Sequence, residues 1–358
     1  MQALQISGCP QSLAAARFSS RRRTRPPGGV SGLAFVVCSS AERRVPGGRK
    51  IFVFGMGFVG IHVSRRLREE GWEVSGTCTS EEKKKKLEEM GFEAFVFDAG
   101  ENDLANVNAL QQATHLLLSI PPSSSGDPLL SLDEDLRSKL GSGNLQWLGY
   151  LSSTSVYGDC GGASVDEDYQ PNPATQTAKA RLAAEQGWLD LGHDLGVSAY
   201  VFRLGGIYGP GRSALDTLVN LEALSKYQKM RESRKYTARI HVEDAYQAIK
   251  SSFAAPKSGR VYNVVDDDPA PRTEVFLFAE ELIEGKWPGK AKRTGAEDAE
   301  ISQENNSQGE KRVLNTRLKE ELGVRLIHPS YRSGLRSILD SWKSPPQQIR
   351  YLDLGSNS

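Results

Sequence analysis

Residues Ile51 to Gly60 read Ile-Phe-Val-Phe-Gly55-Met-Gly57-Phe58-Val59-Gly60, an apolar run leading into Gly-x-Gly-x-x-Gly. An amphipathic stretch follows and stops near Glu70-Gly71. Strand, glycine turn and helix in that order can cradle a diphosphate. Gly55 allows the tight turn, Gly57 lets backbone approach the pyrophosphate, and Gly60 lets the helix pack on the strand. The first backbone N–H groups of the helix, at Phe58, Val59 and Gly60, then face the anion with the positive end of the helix dipole. Three glycines alone can be an ordinary turn, but here the flanking context for a dinucleotide is met. The next strand ends at Gly76-Thr77-Cys78-Thr79-Ser80, without the acid that commonly holds the ribose 2′-hydroxyl of NAD. Thr79 and Ser80, with Lys83 near, can hydrogen-bond a 2′-phosphate, so NAD and NADP both stay open with a lean to NADP. The lysines 83–86 are explained equally by a solvated helix behind Glu81-Glu82. Asp98, after the third strand, is placed either to accept from the adenine amino group or to cap a helix.

Around this turn, short apolar runs alternate with amphipathic segments. Strands are expected at 51–54, 73–77, 93–97, 115–120, 145–151 and 198–203, and helices at 59–70, 81–90, 104–113, 129–140 and 178–191. That alternation implies crossover connections and a parallel sheet with helices on both faces. The fold class is therefore α/β, a Rossmann-type doubly wound parallel sheet, with a smaller C-terminal substrate lobe. The expected organisation is a disordered transit peptide over 1–48, a NAD(P)-binding domain over 49–204, and a lobe over 205–345 woven onto it. Residues 289–312, rich in Lys, Glu, Asn, Ser and Gln, read as a solvated loop.

The 358 residues carry 45 Lys and Arg against 44 Asp and Glu, a net of +1. That balance conceals an uneven distribution. Residues 1–41 hold five arginines, seven serines and no acid, the composition of an organelle transit peptide. A chloroplast destination is favoured, with mitochondrion or cytoplasm as alternatives. The first 48 residues hold seven Arg and one acid, leaving 38 basic and 43 acidic residues, a net of −5. A mildly acidic body has no electrostatic footprint for nucleic acid. No apolar run reaches the length of a membrane span, and Cys78 and Cys160 stand in no metal-like spacing. The expected partner is a small molecule, and a homodimer is compatible with the composition.

Five further motifs extend the pattern. They are Leu151-Ser-Ser-Thr-Ser-Val-Tyr157-Gly158, Arg203-Leu-Gly-Gly-Ile-Tyr208-Gly-Pro210-Gly, Arg239-Ile-His-Val-Glu-Asp244, Tyr262-Asn263-Val264 and Lys311-Arg-Val-Leu-Asn315. With the glycine turn and Ile120-Pro-Pro, the set resembles the extended short-chain dehydrogenases/reductases. More narrowly it is similar to the NAD-dependent epimerase/dehydratase family and its YeeZ-like branch. The resemblance implies a Ser or Thr after the fifth strand and a Tyr-x-x-x-Lys on the next helix. The ammonium and the oxidised nicotinamide would lower a phenol of ordinary pKa ~10 so that it acts as a base.

The hydroxyl maps to Ser153, with Thr154 beside it, and the lysine to Lys179, which also serves the nicotinamide ribose. Four residues before Lys179 stands Thr175, so the tyrosine is missing. Tyr157 is a weaker substitute, its usual place being the Val-Tyr-Gly turn. The literal Tyr246-x-x-x-Lys250 falls on a later helix, away from the nicotinamide. Arg203 and Tyr208 are expected to shape the substrate cleft, although a strand-end Arg is often a carboxylate partner. His241 reads as a substrate contact or a packed imidazole. Asp166, Glu167 and Asp168, ahead of Pro171-Asn-Pro173, read as a capped surface loop, and Asp266–Asp268 read as a turn. Two functions follow: an oxidoreductase or isomerase acting on a sugar nucleotide, aldehyde or ketone through an atypical site, or a non-catalytic NAD(P)-sensing or assembly protein.

Overall fold

In the computed structural model, the residues described are 48–97, 104, 106–141, 143–220, 236–255, 257–291 and 311–344. The leader to residue 47 and most of the expected 289–312 loop lie outside them. The first strand, β1 (Lys50–Phe54), has Ile51, Phe52, Val53 and Phe54 all fully buried. Alternate side chains of a strand point to opposite faces. Ile51 and Val53 accordingly join one apolar core while Phe52 and Phe54 join another. Only a sheet covered on both faces accommodates four such residues in a row.

The order continues with α1 (Phe58–Glu69), β2 (Glu73–Cys78), α2 (Glu81–Glu89), β3 (Glu93–Val96) and β4 (His115–Leu118). Next come α3 (Asp133–Leu140), β5 (Trp147–Ser153), β6 (Ser164–Val165), α4 (Gln176–Asp194) and β7 (Ser198–Leu204). The later part adds β8 (Gly206–Tyr208), α5 (Ala214–Asn220), β9 (Arg239–His241), α6 (Val242–Ser252) and β10 (Arg260–Val264). It ends with α7 (Arg272–Lys286), β11 (Arg312–Val313), α8 (Thr316–Leu322) and α9 (Tyr331–Ser341).

Seven strands form one sheet in the order β10-β7-β5-β4-β1-β2-β3, every neighbouring pair parallel. From β1 the chain winds outward through β2 and β3, then returns to β4 on the other side. The carboxyl ends of β1 and β4 therefore flank the crevice where doubly wound sheets bind ligands. Helices α1 and α6 supply Val63, Leu67, Ala245 and Ile249 to the core on one face, while α3 and α4 supply Leu136, Leu140, Trp188 and Leu191 on the other. A third cluster, including Leu215, Ile283, Tyr331 and Leu335, joins α5, α7 and α9.

All six expected strands are present, and the fold class is the one expected. The seventh strand of the sheet, β10, comes from beyond residue 205, so the later part of the chain completes the main sheet. Its sequence, Arg-Val-Tyr-Asn-Val, is apolar only in part, and Gly259 and the charged residues around it masked the strand. The helix expected over 104–113 is a 3-10 turn at Asn108–Gln112, and that expected over 129–140 is a 3-10 turn followed by α3. Among the described residues, no helix is long and apolar enough to cross a membrane.

Candidate functional site

The fold itself requires glycine at two positions of the turn after β1, Gly55 and Gly60, whereas Gly57 leaves open space. Gly55 has φ +88°, and a Cβ there would lie 2.9 Å from the Ile120 side chain at the end of β4. A Cβ on Gly60 would lie 2.5 Å from the Gly55 carbonyl oxygen, so only glycine lets α1 seat against the turn. A Cβ on Gly57 would meet nothing within 4 Å. Gly57 is the N-cap of α1, no side chain caps the helix, and its first turn contains no acid. The opening amides, on Phe58, Val59 and Gly60, are therefore uncapped by any side chain and stand next to the open space at Gly57. The turn is braced from β2, where the Thr77 hydroxyl accepts from Gly55 N–H at 2.9 Å and the Thr77 carbonyl accepts from Met56 N–H at 2.7 Å. Thr79 is exposed at the end of β2 and accepts from Lys83 Nζ at 3.3 Å. Hydroxyl and ammonium are thus adjacent at the carboxyl end of β2. Asp98 lies outside the described residues.

Beside this cradle, β5 ends at Ser153, which caps the 3-10 turn Thr154–Tyr157 by accepting from Ser155 N–H at 3.2 Å. Thr154 is buried beneath it. The structure does not bring Lys179 to these hydroxyls. Thr175 is the N-cap of α4, its hydroxyl accepting from Ala178 N–H at 3.1 Å. Lys179 is exposed, whereas Ala178, Glu185 and Trp188 define the buried face. At 3.6 residues per turn, that face passes through position 181 and leaves 179 on the far side. Arg181 is half-buried and donates to the Leu151 carbonyl of β5 at 3.4 Å. The residue on the inward side is therefore Arg181, two positions later than the sequence motif suggested, and four residues before it stands Thr177, which is exposed. Glu185, one turn further along the same face, was the missed signal: a carboxylate in phase with buried apolar residues fixes the helix register.

Arg203 is likewise corrected from a cleft residue to a buried structural one. Its Nη2 donates to Glu185 Oε2 at 2.7 Å and its Nη1 to the Tyr157 hydroxyl at 2.9 Å. The Ser152 hydroxyl also donates to Glu185. Tyr157 in turn donates to Asn263 Oδ1 at 2.8 Å. Burial pushes the Tyr157 phenol up to about 12, the Arg203 charge acting the other way without prevailing. A base needs the opposite shift, so Tyr157 belongs to the scaffold. Glu167, expected in a surface loop, is buried and accepts from Asn263 N–H at 2.7 Å. Lys311 ties the same turn from the far end of the chain by donating to the Gly158 carbonyl at 2.8 Å. Tyr246 and Lys250 both bind Glu70, next to the C-terminal end of α1 and away from the cradle.

A second buried polar group lies under the C-terminal helices. Tyr208 is almost fully buried, with its ring edge-on to His241 at 5.2 Å. His241 caps α6, accepting from Glu243 N–H at 3.2 Å, and packs on His328 at 4.1 Å. Arg239 donates to the Asp268 and Ala270 carbonyls at 3.2 and 2.7 Å. Asp266 is 3% exposed, and burial raises its carboxyl to about 8 in spite of the Arg239 charge. The unfolded chain releases this proton near 3.8. Between those values the native state binds the extra proton, so stability falls as pH rises. Burial lowers His241 to about 3 and His115 to about 4, which acts in the opposite sense, but only below their unfolded value of 6.5. The expected result is a melting temperature that declines from pH 6.5 to 8 and a shallower decline in Asp266→Asn. Equal slopes in the two proteins would refute the assignment.

The sheet order, the glycine cradle and the serine turn at the end of β5 define a Rossmann-fold protein of the extended dehydrogenase/reductase type. A model of the NAD dependent epimerase/dehydratase family matches residues 136–265. A conserved protein of unknown function from Silicibacter pomeroyi DSS is 34% identical, with 83% of this chain and 100% of that one covered and a TM-score of 0.64. Protein YeeZ of Escherichia coli K12 is 27% identical over 289 residues, 78% of this chain and 97% of YeeZ. The UDP-glucuronic acid 4-epimerase of Bacillus cereus, solved with NAD, is 18% identical with a TM-score of 0.59 over 81% of this chain and 96% of that one; it shares the fold. The chain belongs to the NAD-dependent epimerase/dehydratase family, and within it resembles the YeeZ-like branch.

Proposed function

We propose that this chain binds NAD or NADP across the carboxyl ends of β1, β2, β4 and β5. The reading rests on the first turn of α1, uncapped and free of acid, with open space over Gly57. The diphosphate lies on the amides of Phe58, Val59 and Gly60, the adenosine ribose near Thr79, and the nicotinamide toward Ser153 and Thr154. Asp98 remains the proposed adenine contact. When bound, the cofactor supplies hydride transfer. Ser153 holds the oxygen of a small carbonyl or alcohol substrate, and the chain acts as an oxidoreductase or isomerase. The acid-free leader supports delivery to a plastid.

The absence of a phenol on the inward face of α4 favours a second reading, a protein that senses the dinucleotide or assembles around it without turnover. Arg181 stands on that face with the exposed Thr177 four residues before it, and neither hydroxyl nor guanidinium can act as a base at neutral pH. The experiment common to both readings is thermal unfolding with NADH and NADPH. Millimolar cofactor is expected to raise the melting temperature by linkage between binding and folding, with about 2.7 kcal/mol gained at a hundredfold excess over Kd. No shift with either form would remove the cofactor from the account. Turnover in a screen of aldehydes, ketones and nucleotide sugars separates the enzyme from the sensor.

A further inference from the structure

We propose that Arg181 anchors an oxyanion, a carboxylate or phosphate group, on the small molecule that enters the cleft beside Ser153. The placement of that cleft rests on the dinucleotide reading above; the state of Arg181 does not. The guanidinium is half-buried, and its hydrogen bond is a long one, 3.4 Å to the Leu151 carbonyl. Among the described residues, no carboxylate lies within ion-pair distance of it. The buried arginine of this region, Arg203, has close partners for all three of its nitrogens in Glu185 and Tyr157.

The acids near Arg181 are already engaged. Asp127 accepts from Leu129 and Leu130 N–H through one oxygen, at 2.9 and 3.2 Å, and from Trp188 Nε1 through the other at 3.1 Å. Glu185 holds Arg203 and Ser152. Asp127 feels the Arg181 charge from beyond ion-pair distance, so the half-buried guanidinium has a charge nearby but no direct anionic partner, and most of its donors stay open to an incoming anion. The planar fork of five donors, of which the Leu151 carbonyl takes one, matches an oxyanion in two-point contact. Arg181 cannot give up its proton at neutral pH, so its part is to bind and orient. Ser153, two residues beyond Leu151 on β5, has its hydroxyl proton available for a second group on the same molecule. The substrate class that fits is a small hydroxy or oxo compound bearing one acidic group.

Malonate and inorganic phosphate, titrated separately into the protein with and without saturating NADH, test this through the melting temperature. At least one anion is expected to give a saturable rise in the wild type with a low-millimolar midpoint. Arg181→Met should weaken that midpoint tenfold or more, and Arg181→Lys should retain part of it. Lys179→Met, on the exposed face of α4, should leave it unchanged. The unliganded melting temperatures of both Arg181 variants report any purely structural role, which would lower stability without changing the anion midpoint. The proposal is overturned if neither anion shifts the wild type, if both shift Arg181→Met equally, or if Lys179→Met is the variant that loses the response. An NADH response with no anion response removes the anion site and spares the cofactor reading. An anion response lost in Arg181→Met with no NADH response does the reverse.

Discussion

Gly57→Leu is expected to weaken NADH and NADPH binding by roughly 100-fold, about 2.7 kcal/mol, with little change in the stability of the unliganded protein. The separation of the two effects comes from geometry. Gly57 has φ −91°, which any residue adopts, and a Cβ there meets no atom within 4 Å. A leucine side chain is thus accepted by the fold and fills the space over the amides of Phe58 to Gly60. Gly60→Ala, by contrast, drives a methyl into the Gly55 carbonyl at 2.5 Å and is expected to unsettle the turn itself. Isothermal titration with each cofactor, alongside the unliganded melting curve, checks the pair. Retained affinity in Gly57→Leu would mean that the diphosphate lies elsewhere.

Breaking the Arg203–Glu185 pair is expected to be the most damaging change to the scaffold. Both side chains are nearly enclosed, at 6% and 4% exposed. Removing one partner from such a pair typically costs about 3–5 kcal/mol, because the other charge is left buried and alone. Arg203→Met should therefore lower the midpoint of urea unfolding sharply. It also removes a hydrogen bond from Tyr157 and so loosens the turn that carries Ser153. Combining it with Glu185→Leu should recover much of the loss, since two apolar residues leave no orphan charge. A loss below about 1 kcal/mol in Arg203→Met, well short of the range for a buried pair, would show that the Glu185 carboxylate left behind is solvated or protonated at little cost.

The sheet and the cradle were legible in the sequence because both are local. Four buried residues in a row, three glycines and an amphipathic helix are all written within about twenty positions, and the tight turn at Gly55 and the helix packing at Gly60 agree with their geometry. The α4 register was not legible from its motif. Lys179 satisfies the residue type, but the side of a helix that faces the sheet is fixed by every buried position along it. Glu185 and Trp188 settle the phase in favour of Arg181. Arg203 was misread for a related reason: its partner, Glu185, lies on a different element, and only the fold brings them together. Glu167 looked like part of an acidic surface loop because its partner, the backbone of Asn263, is 96 residues away.

The serine turn at the end of β5 is held by groups that the chain reaches much later. Tyr157 is tied to Asn263 across 106 positions, and Gly158 to Lys311 across 153. Contacts of such long sequence separation form slowly and close only after much of the loop entropy has been lost. A chain emerging from a ribosome therefore has the glycine turn and its brace on Thr77 by residue 77, while the serine turn beside it waits for residue 311. The glycine turn is set by close neighbours in the sequence, and the serine turn reaches its final shape only when almost the entire polypeptide has arrived.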